Sequence, residues 1–456
     1  MHTFYIGGLF NMERKTNIIG IGLGPFNLGL AALLSTHDDL ASVFLERNSE
    51  FHWHPGLLLP GTTLQVPFFA DLVTMADPSH KLSYLNYLSQ HDRLYQFYYY
   101  ENFQIPRVEY NHYCRWAANQ LPNCNFGENV TEVSYNQQDD TFTIYSELTA
   151  SGQKKQYTSP NIAIGIGTKP NIPKWLAECR HPLVKHASEF FYLQEKLTQC
   201  QNVTVIGSGQ SAAECVLALF RSLTPEQIKN GASIRWITQS AGYHPMEYSK
   251  LGQECFTPSY MDYFQNLSRE QRRKIAAGQG LLFKGISCST IAEIYDLLYE
   301  RSIGGQHPGL SLNPNCQVNS INETTLSSKV TIKCKHTQLG KTFSLEADAV
   351  IAGVGYVHEW PTWLEHLKGS VLAVDDNNDF IVEKNFTAQR CDKGLGKIFI
   401  QNAEIFQQSV ASPDLGVGAC RNSVIINQLA QREVYRPHKN TSFQQYGIPE
   451  GAILDS

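Results

Sequence analysis

No stretch of this chain approaches the roughly 18 consecutive apolar residues that a membrane-spanning helix needs, so no membrane span is expected. No two of its eleven cysteines form a C-x-x-C pair, and no Cys/His group has zinc spacing. A disulfide framework and a structural metal are therefore not expected, and reduced thiols in a cytoplasm are. Lysines and arginines (37) are mixed with aspartates and glutamates (42) without any basic stripe, which argues against a nucleic-acid partner. The opening MHTFYIGGLFNMERKTN carries its basic residues after its short apolar piece and lacks a small-residue cleavage site, so it does not read as a signal peptide. Met12 is an alternative start to Met1. Long low-complexity segments are absent too. What remains is an ordinary globular composition, 42% hydrophobic over 456 residues. Single cores stop growing near roughly 250 to 300 residues, so two or three domains are expected.

Two glycine turns organise the chain. In NIIGIGLGPFNLGLAALL, Asn17 to Ile21 reads as a buried strand and the run from Gly29 has helical spacing of Leu and Ala. Gly20, Gly22 and Gly24 lie between them, with Pro25 at the third fingerprint position. Glycines there allow a tight turn and close approach of backbone to a pyrophosphate, whose charge the following helix N-terminus meets. The next strand, ASVFLER, ends in Glu46, where such a unit places an acid on a ribose hydroxyl. NVTVIGSGQSAAE repeats the logic with Gly207, Ser208, Gly209 and Ala212, followed by SIRWIT as the next strand. The bland alternative for either turn is a strand–helix connection without ligand. Two full units suggest two dinucleotides, a resident flavin and a visiting nicotinamide.

IAIGIGTKPNIP and ADAVIAGVGYVHEWP have the form of crossings between interleaved domains. The predicted organisation is α/β: two Rossmann-like dinucleotide-binding domains with a small, mostly helical region. The first domain spans 13–175 and resumes over 345–456; the second spans 176–344, with the helical region at about 245–300. Thr224–Gln227 and Ser268–Gln271 have capping-box form.

GIGLGPFNLGLAAL, FHWHPG, LQVPFFADLVTMADP, PRVEYNHYCRWAA, GSGQSAAE, DAVIAGVGY and SPDLGVGACRNS together resemble the lysine/ornithine N-monooxygenase family of siderophore biosynthesis. The resemblance covers about Asn17 to Leu429. It implies FAD in the first domain, NADPH in the second, a homo-oligomer (dimer or tetramer), and transfer of one oxygen of O2 from a flavin C4a-hydroperoxide to an amine nitrogen. By position, Gln65 matches a glutamine beside the flavin and Arg107 an arginine against its ring. For Arg107 the alternative is a surface ion pair with Glu109. Trp53 and His54 match a segment packed on the flavin; His52 and His54 lack a third ligand for a metal. Ser208, Gln210 and Ser211 match NADP contacts, and Asp414 and Leu415 the loop under the flavin.

Several positions depart from the family pattern. Where ornithine and lysine hydroxylases carry a lysine for the substrate carboxylate, FFADLV has Ala70; two asparagines of that site are replaced by Gln253 and Gly285. The substrate implied is an amine without a carboxylate, putrescine or cadaverine. Histamine, lysine or ornithine, another flavin monooxygenase, a disulfide reductase and a non-catalytic flavoprotein are the alternatives. Gln239 stands where many relatives have an arginine for the NADPH 2′-phosphate, with Arg235 or Lys250 as candidate substitutes. Gln407-Gln408-Ser409-Val410 replaces a His-Gly that precedes Asp-Leu in relatives. The aromatic run Tyr95 to Phe103 suits the substrate or ordinary core, and reads rather as core.

Overall fold

The structure is a computed structural model that describes residues 16–324, 328–449 and 451–452. The choice between Met1 and Met12 lies outside the described residues. Two five-stranded parallel sheets form the frame. The first runs Ile398–Ile400, Ile162–Ile164, Ile18–Ile21, Ser42–Glu46, Cys124–Phe126; the second runs Leu310–Asn313, Ser233–Ile237, Asn202–Ile206, Ala349–Ala352, Val184–His186. Their central strands are mostly apolar and buried, as strands covered on both faces are; in the second, Asn202 at its start is half-buried and Thr204 is buried. Each central strand turns at its glycines into a helix, Pro25–Leu34 or Gln210–Ser222.

An antiparallel three-stranded sheet accompanies each unit, at residues 128–159 and 316–347. Helices from Lys250–Gln253 to Cys288–Arg301 make the helical region, and both expected capping boxes form. Ala349–Ala352 hydrogen-bonds inside the second sheet, so the return crossing falls at 353–357 rather than at 345. Asp348, just before that strand, accepts from the Asn202 N–H at 2.7 Å and joins two strands of the second sheet.

The aromatic run corrects another expectation. Helix Leu94–Tyr100 buries none of its residues, and Tyr95 is 80% exposed. Of this helix only Phe97 packs against the core, beside Phe68.

Candidate active site

At the C-terminal ends of the first sheet's strands lies a cleft of about 720 Å³. Gly22, Gly24, Pro25, Glu46, Trp53, His54, Gly165, Asn402 and Leu415 are among its walls. Gly22 has φ +85°, and a β-carbon there would lie 2.6 Å from the Gly165 carbonyl oxygen. Gly20 is a strand residue without a side chain for a different reason: a β-carbon would fall 2.0 Å from the Phe44 ring. Asn27 clamps the turn, its Nδ2 donating to the Gly22 carbonyl at 2.8 Å and to Ala163 at 3.2 Å. Pro25 occupies the first turn of its helix, where a missing N–H costs nothing.

Both glycine-turn helices have glycine N-caps, Gly24 and Gly209, so no N-cap side chain accepts from their first N–H groups. The buried Asn402 Oδ1 on the cleft wall and the buried Gln65 Nε2 have no protein partner. A cradle of free donors, a glycine that admits no side chain and the orphaned Asn402 amide oxygen on the wall fit a dinucleotide with a flavin end.

Glu46 sits at the expected strand end. Its Oε2 accepts from the Leu23 N–H at 2.9 Å and its Oε1 from Asn48 N–H at 2.9 Å, so it also holds the glycine turn in place. Trp53 stacks edge-on against Tyr110 and His54, with 5.1 Å between centroids in each pair. His54 adopts φ +48° and packs on Tyr356. Burial by surrounding protein, then the neighbouring Arg107 charge, push its imidazole down to about 4.

That lowering has a direction for stability. As pH falls below the ordinary 6.5, the unfolded chain takes up a proton before folded His54 does, so stability present above 6.5 is lost toward about 4. His54 turns one side to the cleft, and solvent screening there makes the slope shallow. Chemical denaturation of the apoprotein between pH 7 and 4 should show a smaller loss for His54→Asn, which tolerates the left-handed backbone.

Arg107 does not pair with Glu109, whose partner is Arg93 at 2.8 Å. Its guanidinium reaches the second unit and forms a two-pronged bond with Glu214: Nη1 to Oε2 at 2.7 Å and Nη2 to Oε1 at 2.8 Å. Gln210 is likewise committed within the protein, its Nε2 donating to Glu214 at 2.8 Å and to Thr290 at 3.2 Å. In the second turn Gly207 has φ +130°, and a β-carbon would lie 2.1 Å from the Gly353 carbonyl oxygen. Trp236 Nε1 donates to the Gly207 carbonyl at 2.7 Å and supports that turn. Ser208 and Ser240 hydroxyls meet at 3.0 Å; Ser211, in the helix's first turn, is half-buried.

Residues 14–358 match the family described as L-lysine 6-monooxygenase/L-ornithine 5-monooxygenase. The chain belongs to that family. It is 57% identical to the rhizobactin siderophore biosynthesis protein RhbE of Rhizobium meliloti (96% of this chain, 97% of that one). It is 37% identical to a putrescine N-hydroxylase of Shewanella oneidensis (94% and 84%). The crystal structure of DfoA bound to FAD, a cadaverine monooxygenase from Erwinia amylovora, superposes with a TM-score of 0.89 at 33% identity (96% and 100%). The protein is thus an NADPH-dependent flavin N-hydroxylating enzyme that uses FAD and has two Rossmann-like domains.

With the N-monooxygenase fold in place, the remaining residues can be located. Asp414 Oδ1 accepts from the Gly416 N–H at 2.7 Å, and burial pushes its carboxyl up to about 6 against that bond and the Arg421 charge. Ala70 is 4% exposed and its N–H closes a turn to Pro67. Beside it, Asp71 is spent on the N–H groups of Val73, Thr74 and Tyr84. Gln253 Nε2 donates to the Glu247 carbonyl at 2.9 Å. Gly285 is required by packing, since a β-carbon would fall 2.3 Å from the Met246 backbone. Gln65, Arg107, Ala70, Gln253, Gly285 and Asp414 do not line the flavin cleft itself.

Of the two candidate substitutes for the arginine missing at Gln239, Arg235 is committed within the protein. It points from mid-strand toward the second antiparallel sheet, where its Nη1 donates to the Glu346 carbonyl at 3.2 Å. Cys114 is buried in a helix and burial pushes Cys124 up to about 12; neither lines the cleft, so the disulfide-reductase alternative has no redox pair there.

Gln407 and Gln408 are structural ties, with Val382 N–H donating to Gln407 Oε1 at 3.0 Å and Gln408 Nε2 donating to Glu383 at 2.7 Å. Ser409 then adopts φ 72°, ψ 176°, a region almost reserved for glycine, while wholly buried. Ser409→Gly should therefore raise thermal stability by up to about 1 kcal/mol after the unfolded-state entropy of glycine is subtracted. Ser409→Val should lower it by more than about 2 kcal/mol; calorimetry separates the two.

Sequence reading missed Glu214, Asn402 and Arg421. Arg421 is 1% exposed, donates from Nη2 to the Ser412 carbonyl at 2.6 Å, and lies over the Phe26 ring at 4.7 Å. GSGQSAAE and ACRNS contain two of the three, but nothing local in either stretch tells a buried charge from an exposed one.

Proposed function

We propose that the protein N-hydroxylates putrescine or cadaverine, small amines without a carboxylate, as a step in siderophore biosynthesis. The observation that carries this reading is Ala70. It is buried beside stacked Phe68 and Phe69, and the one charged group of its turn, Asp71, is fully hydrogen-bonded. That turn itself offers no cation to an amino-acid carboxylate, and an unpaired carboxylate taken out of water costs several kcal/mol. Relatives bearing the names putrescine N-hydroxylase and cadaverine monooxygenase support the same choice.

Bound flavin, reduced by NADPH, supplies the activated oxygen. The chain's own residues supply placement and dryness. Gln65 presents a buried amide donor while its carbonyl accepts from Tyr248 Oη at 2.9 Å, and Gln104 Nε2 donates to the same hydroxyl at 2.9 Å. This bridge ties the loop carrying Ala70 to the helical region. An alkylamine with a pKa of about 10.4 is protonated in water, so a low-dielectric pocket that favours its neutral form prepares the nucleophile without a side-chain base.

The test is hydroxylamine formation by the FAD-loaded protein with putrescine, cadaverine, histamine, ornithine and lysine, against NADPH oxidation. A diamine should give the highest kcat/KM; ornithine or lysine as the best substrate would overturn the reading. We also take the protein to be a cytoplasmic homo-oligomer. The exposed Tyr95, Tyr98 and Tyr99 support an association surface, and the size in solution is read by light scattering.

A further inference from the structure

The two nucleotide-binding units are joined by more than their crossings. Leu57 and Leu59, from the first unit, are buried in the core of the second beside Ala187 and Phe190. Gly56 allows the chain to enter there, since a β-carbon would lie 1.7 Å from the Ser188 carbonyl oxygen. The Arg107–Glu214 pair described above also crosses between the units. The two side chains are 12% and 4% exposed.

Every strong contact of this pair is directional. Arg107 Nε donates to the Thr63 carbonyl at 3.1 Å, so the guanidinium is held on its own side while both Nη atoms reach across. Glu214 Oε1 also accepts from Gln210, whose Oε1 accepts from the Ser287 N–H at 2.8 Å in the helical region. One carboxylate therefore links the first unit, the second unit and the helical region. A buried ion pair adds little net stability over apolar residues of the same size, whereas a planar fork on a carboxylate fixes distance and angle. Its physical product is geometry.

We propose that Glu214 is a positioning residue for hydride transfer: by gripping Arg107 it sets the relative placement of the two dinucleotide-binding units, and through Gln210 it ties that placement to the helical region. This rests on the FAD and NADPH assignment of the two units and is independent of which amine is hydroxylated.

Glu214→Gln tests it, because Arg107 remains while its partner loses its charge and one of the two acceptors of the fork. In the apoprotein, hydrogen exchange at the crossings 165–171 and 353–357 should rise. In the FAD-loaded protein, anaerobic flavin reduction at saturating NADPH should slow by about tenfold or more, with KM for NADPH changed less than about threefold. Reduction by dithionite should keep the parental rate. A parental rate with NADPH, or a slowed rate without any change in exchange at the crossings, would overturn the proposal. Should Glu214→Gln not fold, Arg107→Met/Glu214→Met replaces the pair by apolar side chains of similar length. In that variant, slowed reduction with raised exchange at the crossings supports the proposal and a parental rate overturns it. A parent protein that binds no flavin would instead refute the cofactor assignment.

Discussion

Gly22→Ala is expected to yield a folded but colourless protein, while Gly207→Ala stays yellow and is no longer reduced by NADPH. The two turns are built alike, so the same substitution should remove one cofactor at a time. Each glycine has positive φ and faces a carbonyl of a crossing, Gly165 at 2.6 Å or Gly353 at 2.1 Å from the added carbon. The backbone strain costs about 1–2 kcal/mol and the overpacking about 1–3 kcal/mol more. Relief requires the turn to move away from the crossing, and that movement withdraws the N–H groups at the helix start from the pyrophosphate. The visible spectrum of the purified variants and anaerobic titration with NADPH read the two losses. Gly22→Ala protein retaining full flavin, or Gly207→Ala protein reduced at the parental rate, would contradict the assignment of the units.

The second large effect is selection between amines. If ornithine enters with its carboxylate unpaired, a penalty of about 4 kcal/mol corresponds to roughly a thousandfold in kcat/KM relative to the diamine. Ala70→Lys should lower diamine turnover, because its ammonium repels the second cationic end of the substrate. The residue is 4% exposed, so added bulk alone has a cost, and Ala70→Met serves as the control for size. Diamine turnover that falls with lysine but persists with methionine supports the charge effect. Equal values for both variants and the parent would mean that Ala70 stands away from the amine.

Local patterns carried much of the architecture. Apolar strands ending in glycine turns, the acid of Glu46 and the capping boxes at Thr224 and Ser268 are short-range signals, set by backbone conformation and by hydrogen bonds a few residues apart. The aromatic run was misleading for the same reason. Composition marks Tyr95 to Phe103 as core material, yet whether a face is covered depends on what packs against it.

Sequence by itself determined that this chain has two dinucleotide units, where their turns lie, and that FFADLV lacks a basic residue before its aspartate, because glycine conformations and side-chain charge are properties of single residues. Only the tertiary structure decided that Arg107 turns to Glu214 rather than Glu109, and that Asn402 and Gln65 present unpartnered buried amide atoms. It also decided that Gly285 is set by the backbone of Met246. Those outcomes depend on groups apart in the chain that meet only when its elements pack together, and burial then decides which charges must be paired.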